Sequence, residues 1–175
     1  MNNLELNALR NKIDDIDLQL SNLIKERQSL ASQIMKAKKG GFPFDPKREE
    51  NLIKKIVTFG LDKFLVEKIW RQIISSNLSL QKKIKIGVAG NDDEIKSSYL
   101  CHFGNYFDTT YFLSVVSLLA SLEKKDIEIG FINNESIKKL EEHNDIKVNF
   151  EIIANVPLYK NQNQKQYNII KLKTY

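Results

Sequence analysis

Cysteine is nearly absent from this chain. Cys101 stands alone among 175 residues, so no internal disulfide can form, and a reducing cytosol is the expected setting. Cys101 itself reads as a helix-core residue rather than a nucleophile. Only two histidines occur, His102 and His143, and neither has cysteines or carboxylates at metal-ligand spacing, so no metal site is expected. No apolar run is long enough to span a bilayer, and "MNNLELNALRNK" lacks the apolar core of a signal peptide. These absences predict a cytoplasmic protein away from membranes. The segment "GVAGND" lacks the GxGxxG spacing, which excludes the usual dinucleotide fingerprint. Arginine is missing after position 71, and all four arginines (Arg10, Arg27, Arg48 and Arg71) fall before it.

What is present is unevenly charged. Residues 1–83 carry 16 Lys or Arg against 10 Asp or Glu, whereas residues 84–175 carry 11 against 12. The asymmetry predicts two units, 1–83 and 84–175, the first of which handles anions.

From Leu6 the apolar residues repeat every seven. One register runs Leu6, Ile13, Leu20, Arg27 and Ile34; the other runs Leu9, Ile16, Leu23, Leu30 and Ala37. Neither Gly nor Pro interrupts before Gly40, so one helix of about nine turns is predicted. A seam of that length calls for another helix along its face. Arg27 occupies a seam position, and a buried unpaired guanidinium costs several kcal/mol, so an anion must meet it. Glu26, a partner-chain carboxylate or a ligand could each do so. Lys38 lies eleven residues further, on roughly the same side and about 16 Å along the axis, so both side chains could converge on one ligand. Arg10 lies about 26 Å from Arg27 on the same helix and could reach that ligand only from a second, antiparallel subunit. The pattern therefore predicts a homodimer with composite sites.

"KGGFPFD" breaks the first helix, and Asp45-Pro46 starts a second one, with an acceptor at the N-cap and a preset φ after it. It runs to about Thr58, with Leu52, Ile53, Ile56 and Val57 facing inward. Asp62 caps a third helix reaching about Lys83, whose core face carries Val66, Ile69, Trp70, Ile73 and Ile74. Two features of these helices are unusual. Arg48 opposes the dipole in the first turn of the second helix, beside Glu49; it either borders an anion site or pairs with Asp45 or Glu49. Asn77 and Gln81 continue the face of Ile73 at i+4 and i+8, placing neutral polar groups where core is expected.

The second half alternates. "IKIGVAG" reads as a strand, "NDDEIKSSYLCHFG" as a helix capped by Asn91 or Asp92, and "TTYFLSVVSLLASLEKK" as an apolar helix. "IEIGFIN" is a strand, "ESIKKLEEH" a short helix, and "VNFEIIANVPLY" and "YNIIKLKTY" are strands joined by the polar turn "KNQNQKQ". The expected fold class is therefore α + α/β: a three-helix unit with a very long first helix, then a small α/β domain with a mostly parallel sheet.

The stretches "LRNKIDDIDLQLSNLIKERQSLASQIMKAK", "DPKREENLI" and "IISSNLSLQ", in this order and spacing, resemble the all-helical (AroQ-type) chorismate mutases over about residues 4–82. The resemblance implies a homodimer in which Arg27 and the partner chain's Arg10 hold the substrate's two carboxylates. Lys38 and Gln81 would face the ether oxygen, Glu49 would take the ring hydroxyl, and Asp45 and Arg48 would shape that corner. Asn77 stands where the bacterial type form has serine. Conversion of chorismate to prephenate is an intramolecular rearrangement that needs no nucleophile, metal or cofactor. The protein holds a dianion in its compact reactive shape and stabilises charge growing on the ether oxygen. Arginine forks suit the carboxylates, and lysine and glutamine donate without giving up a proton.

"GVAGNDDE…CHFG" and "IEIGFINNES" faintly resemble the start of prephenate dehydratase, often fused behind this mutase. With no arginine after Arg71, the dehydratase's Thr-Arg-Phe motif is missing from these residues, so a degenerate domain without that activity is expected. Two alternatives to the mutase are a non-catalytic chorismate-binding regulator and an isochorismate-pyruvate lyase-like enzyme. A nucleic-acid partner is not expected, because Arg27 lies on the seam rather than on an exposed basic face.

Overall fold

In a computed structural model the chain is described over residues 3–37, 42–142 and 149–173. It divides into two compact units, Met1–Gly41 and Phe42–Tyr175. The first unit is one uninterrupted helix, α1 (Asn3–Ala37, 35 residues), as the unbroken heptads predict. Its seam lies open: Leu9, Ile16, Leu23 and Leu30 are 51%, 54%, 61% and 50% exposed.

The second unit begins with α2 (Pro46–Val57) and α3 (Lys63–Gln81). Asp45 caps α2 by accepting from the Arg48 N–H at 3.1 Å, and Asp62 caps α3 by accepting from Phe64 and Leu65 N–H at 3.1 and 2.9 Å. Of the expected inward residues, Ile53, Ile56, Val66 and Ile74 are buried, Leu52, Val57, Trp70 and Ile73 are half-buried, and Ile69 is exposed. There follow β1 (Lys85–Ala89), α4 (Asp93–Phe103), β2 (Asp108–Phe112), α5 (Val115–Glu123), β3 (Ile129–Asn133), α6 (Asn134–Glu142), β4 (Phe150–Val156) and β5 (Tyr167–Leu172). Asp92, rather than Asn91, caps α4. Gly104 closes that helix with φ 65°, a conformation that favours glycine.

The five strands form one mixed sheet in the order β2-β1-β3-β5-β4. β1 pairs in parallel with β2 and β3, while β5 is antiparallel to both β3 and β4. The expected mostly parallel sheet is thus corrected to an even mixture. The polar segment between β4 and β5 makes them a hairpin, and a hairpin pairs its strands antiparallel. The expected apolar helix over "TTYFLSVVSLLASLEKK" is likewise corrected. Its β-branched and aromatic start is edge strand β2, and the helix begins only after Ser114, whose Oγ accepts from Ser117 N–H at 3.1 Å.

One hydrophobic cluster joins the helices to the sheet. Ile53, Val66, Ile74 and Leu78 pack in the same core as Ile86, Phe103, Phe131 and Ile169. Phe103 sits at its centre, with ring contacts to Phe44, Tyr99, Phe107 and Phe131 at centroid distances of 5.9, 5.5, 5.7 and 6.3 Å. Polar links reinforce the packing. Gln72 Nε2 donates to the carbonyls of Leu100 and Cys101, both at 3.2 Å, and Ser75 Oγ donates to the His102 carbonyl at 3.1 Å. The expected boundary between residues 83 and 84 falls inside this second unit. At the sheet's centre Gly130 admits close packing: a Cβ there would lie 2.7 Å from Leu118 Cδ2 and 2.8 Å from Ile170 Cγ1.

Candidate active site

The candidate residues form two groups, one in each compact unit. On α1, Arg10 is exposed, and Arg27 is half-buried and engaged in an interaction. Seventeen residues of helix separate them by about 26 Å, so they cannot share a small ligand within one chain. Lys38 lies outside the described residues.

The second group sits on α2 and α3. Asp45, Arg48 and Glu49 share one helical turn, in which Asp45 takes the Arg48 N–H through its carboxylate and the Glu49 N–H (3.0 Å) through its carbonyl. The Asp45 and Arg48 side chains are exposed. Glu49 turns inward. It is 6% exposed, and its Oε2 accepts from Arg71 Nη1 at 2.9 Å, a pair buried on both sides. Burial outweighs the attraction of Arg71 and pushes the Glu49 carboxyl up to about 7, while burial also lowers Arg71 from its ordinary value. Glu49 therefore changes charge near neutrality.

Asn77, one turn before Gln81 on α3, is 3% exposed, and neither amide atom has a hydrogen-bond partner. A buried amide left unsatisfied costs about 1–3 kcal/mol, and among the described residues nothing offsets that cost at Asn77. Gln81 is half-buried at the helix end.

Three buried groups beside these residues escaped the sequence reading. Arg71 holds Glu49, yet its Nε has no partner. Glu67 accepts from the Leu158 and Tyr159 N–H groups at 2.7 and 2.9 Å, tying α3 to the start of the β4–β5 connection. His102 is buried, and desolvation with the nearby Arg71 charge holds it well below its ordinary value, hence neutral. A signal for the first two was available: Glu67, Arg71, Ile74 and Leu78 fall at i, i+4, i+7 and i+11, so two charges sit on an apolar stripe. Among the described residues no group of His, Cys, Asp and Glu could hold a metal ion, and no helix is long and apolar enough to cross a membrane.

Known proteins resemble one stretch of the chain in particular. Residues 9–82 match the family model of chorismate mutase type II. This stretch is a chorismate mutase type II domain. The chain is also similar to three proteins each named bifunctional chorismate mutase/prephenate dehydratase. It is 28% identical to that of Pseudomonas aeruginosa over 143 residues (75% of this chain, 39% of the relative). It is 37% identical to that of Aquifex aeolicus over 95 residues (49% and 26%), and 29% identical to that of Stutzerimonas stutzeri over 112 residues (58% and 31%). The chain thus spans well under half the length of these relatives. The first alignment is longer than the mutase domain and runs into the α/β part. No solved structure gives a significant match. The mutase domain ends with α3, so it takes its last two helices from the same compact unit as the sheet.

Proposed function

We propose that the chain is a chorismate mutase, rearranging chorismate to prephenate on the cytosolic route to phenylalanine and tyrosine. One observation carries this reading: the family match over residues 9–82 contains Arg10, Arg27, Lys38, Asp45, Arg48, Glu49, Asn77 and Gln81 together. The exposed α1 seam supports a homodimer in which a second α1 runs antiparallel and brings Arg10 to the partner's Arg27. In that arrangement the two guanidinium forks take the substrate's carboxylates. Lys38 and Gln81 donate to the ether oxygen as its charge grows, and the orphan Asn77 amide meets the ligand beside Gln81. Glu49 is the acceptor for the ring hydroxyl, Asp45 and Arg48 flank it, and no cofactor enters. The rate gain comes from orientation and fixed donors, both independent of proton transfer.

The test is prephenate formation from chorismate by the purified chain beside Arg27→Ala. Losing a charge-assisted carboxylate clamp costs roughly 3 kcal/mol, about two powers of ten in turnover. A chain that binds chorismate without converting it would be the regulatory binder instead. The Glu49–Arg71 pair favours that second reading, because it turns the hydroxyl acceptor inward. Asn77→Ser would then be the first variant to examine for restored turnover. Pyruvate release from isochorismate would identify the lyase-like alternative.

A further inference from the structure

A cleft of about 500 Å³ opens in the second unit, and none of the residues assigned to chorismate lines it. That volume is in the range of small-molecule sites. One wall is a single face of α3, with Phe64, Glu67, Lys68 and Arg71 at i, i+3, i+4 and i+7; the second is α4, and the third is the β4–β5 connection.

The lining is chemically divided. Phe64, Pro157 and Tyr159 offer flat apolar surface, with Lys63 Nζ lying 5.1 and 5.7 Å from the Phe64 and Tyr159 ring centroids. Two cations line the same cleft: Lys68, exposed, and Arg71, 5% exposed. Arg71 spends one nitrogen on Glu49, and its buried Nε has no partner. Of the other ionisable groups facing Arg71, Glu67 and Glu50 favour its charge without accepting from Nε, which keeps no hydrogen-bond partner. Glu67 also lines the cleft, where its oxygens accept from the Leu158 and Tyr159 N–H groups, and His102 is neutral. Glu49 itself is part protonated near neutrality and offsets Arg71 only in part.

From this geometry we propose that the cleft is a second ligand site, taking a small organic acid whose carboxylate meets Arg71 and whose planar apolar body lies against Phe64, Pro157 and Tyr159. An arginine with an unpartnered N–H is suited to a carboxylate. The site does not depend on the mutase reading, since none of the residues assigned to chorismate lines it.

The test is isothermal titration of the full chain with 3-phenylpropanoate and with its neutral alcohol, 3-phenylpropanol. The expected result is saturable one-to-one binding of the acid, at least tenfold tighter than the alcohol. Arg71→Lys keeps the charge but loses the fork, and should weaken the acid about tenfold. Ser97→Trp, on the exposed rim of α4, fills the cleft without touching Arg71 and should abolish binding. Arg27→Ala should leave it intact while removing prephenate formation. No binding at millimolar acid, equal affinity for acid and alcohol, or binding unchanged in Ser97→Trp would each overturn the proposal. So would loss of binding in Arg27→Ala, because the acid would then occupy the chorismate site. An intact acid site in a chain that makes no prephenate would sink the mutase reading alone.

Discussion

Replacing Glu49 by glutamine separates two effects that oppose each other in the same buried pair. Arg71 lies 2.9 Å from the carboxylate and favours its charge, whereas burial disfavours it, and burial wins, lifting the carboxyl from 4.5 to about 7. A carboxyl with a raised folded value binds its proton more tightly folded than unfolded. Between the two values the native state holds the extra proton, so stability falls as pH rises from about 4.5 to about 7. The whole difference corresponds to roughly 3 kcal/mol, at about 1.4 kcal/mol per unit, and most of it is spanned between about pH 5 and pH 8. His102 works in the other direction: held neutral, it adds stability above its ordinary value that is lost as pH falls below about 6.5. The raw pH profile therefore mixes two signs, and the difference between wild type and Glu49→Gln isolates one. Urea unfolding followed through Trp70, the sole tryptophan and the neighbour of Arg71 on α3, provides the assay. Relative to Glu49→Gln, the wild type should lose roughly 2–3 kcal/mol between about pH 5 and pH 8. A constant difference would mean that the folded state holds no extra proton on Glu49, and a gain with pH would show that the ion pair, not burial, governs it.

Other outcomes follow from neighbouring features. Arg71→Met leaves the Glu49 carboxylate buried without its cation, so urea unfolding should show a loss of about 3–5 kcal/mol at pH 8 and a smaller one at pH 5, where Glu49 is protonated. Glu67→Gln sets an amide NH₂ against the Leu158 or Tyr159 N–H. It should cost about 1–3 kcal/mol and speed hydrogen exchange at those two amides. Gly130→Ala forces a Cβ into Leu118 and Ile170 and should cost about 1–3 kcal/mol, measured as a shift in urea midpoint at unchanged slope. Ending the chain after Lys83 strips the sheet from Val66, Ile74 and Leu78, so α2 and α3 should lose protection from exchange rather than persist as a mutase.

Local structure was legible where one residue's chemistry decides it. Asp45, Asp62 and the Asp92 alternative are side-chain acceptors at helix starts, and each caps the helix that begins there. The long α1 followed from heptads without Gly or Pro. Three expectations failed: Cys101 is exposed on α4 rather than in its core, and two elements of the sheet were misjudged. Thr109–Phe112 reads as the start of a helix until Ser114 is recognised as a cap, and the hairpin between β4 and β5 implied antiparallel pairing that strand counting overlooked. Pairings distant in sequence left no trace. Nothing near Glu49 announces that Arg71, 22 residues on, will take it, or that Glu67 will cap backbone 91 residues away. The candidate site was legible as residue types at spacings. Which side chains turn inward was not, because that depends on tertiary burial.

Subunit mixing distinguishes a mutase whose sites are shared between chains from one whose sites lie within a chain. Arg10→Ala and Arg27→Ala are each purified, then unfolded together and refolded, with prephenate formation from chorismate as the readout. Each variant alone should be inactive. Random pairing makes half the dimers mixed, and each mixed dimer has one site free of both substitutions, so about a quarter of wild-type activity should return. A mixture that stays as inactive as its components, while wild type put through the same cycle recovers, would contradict the account.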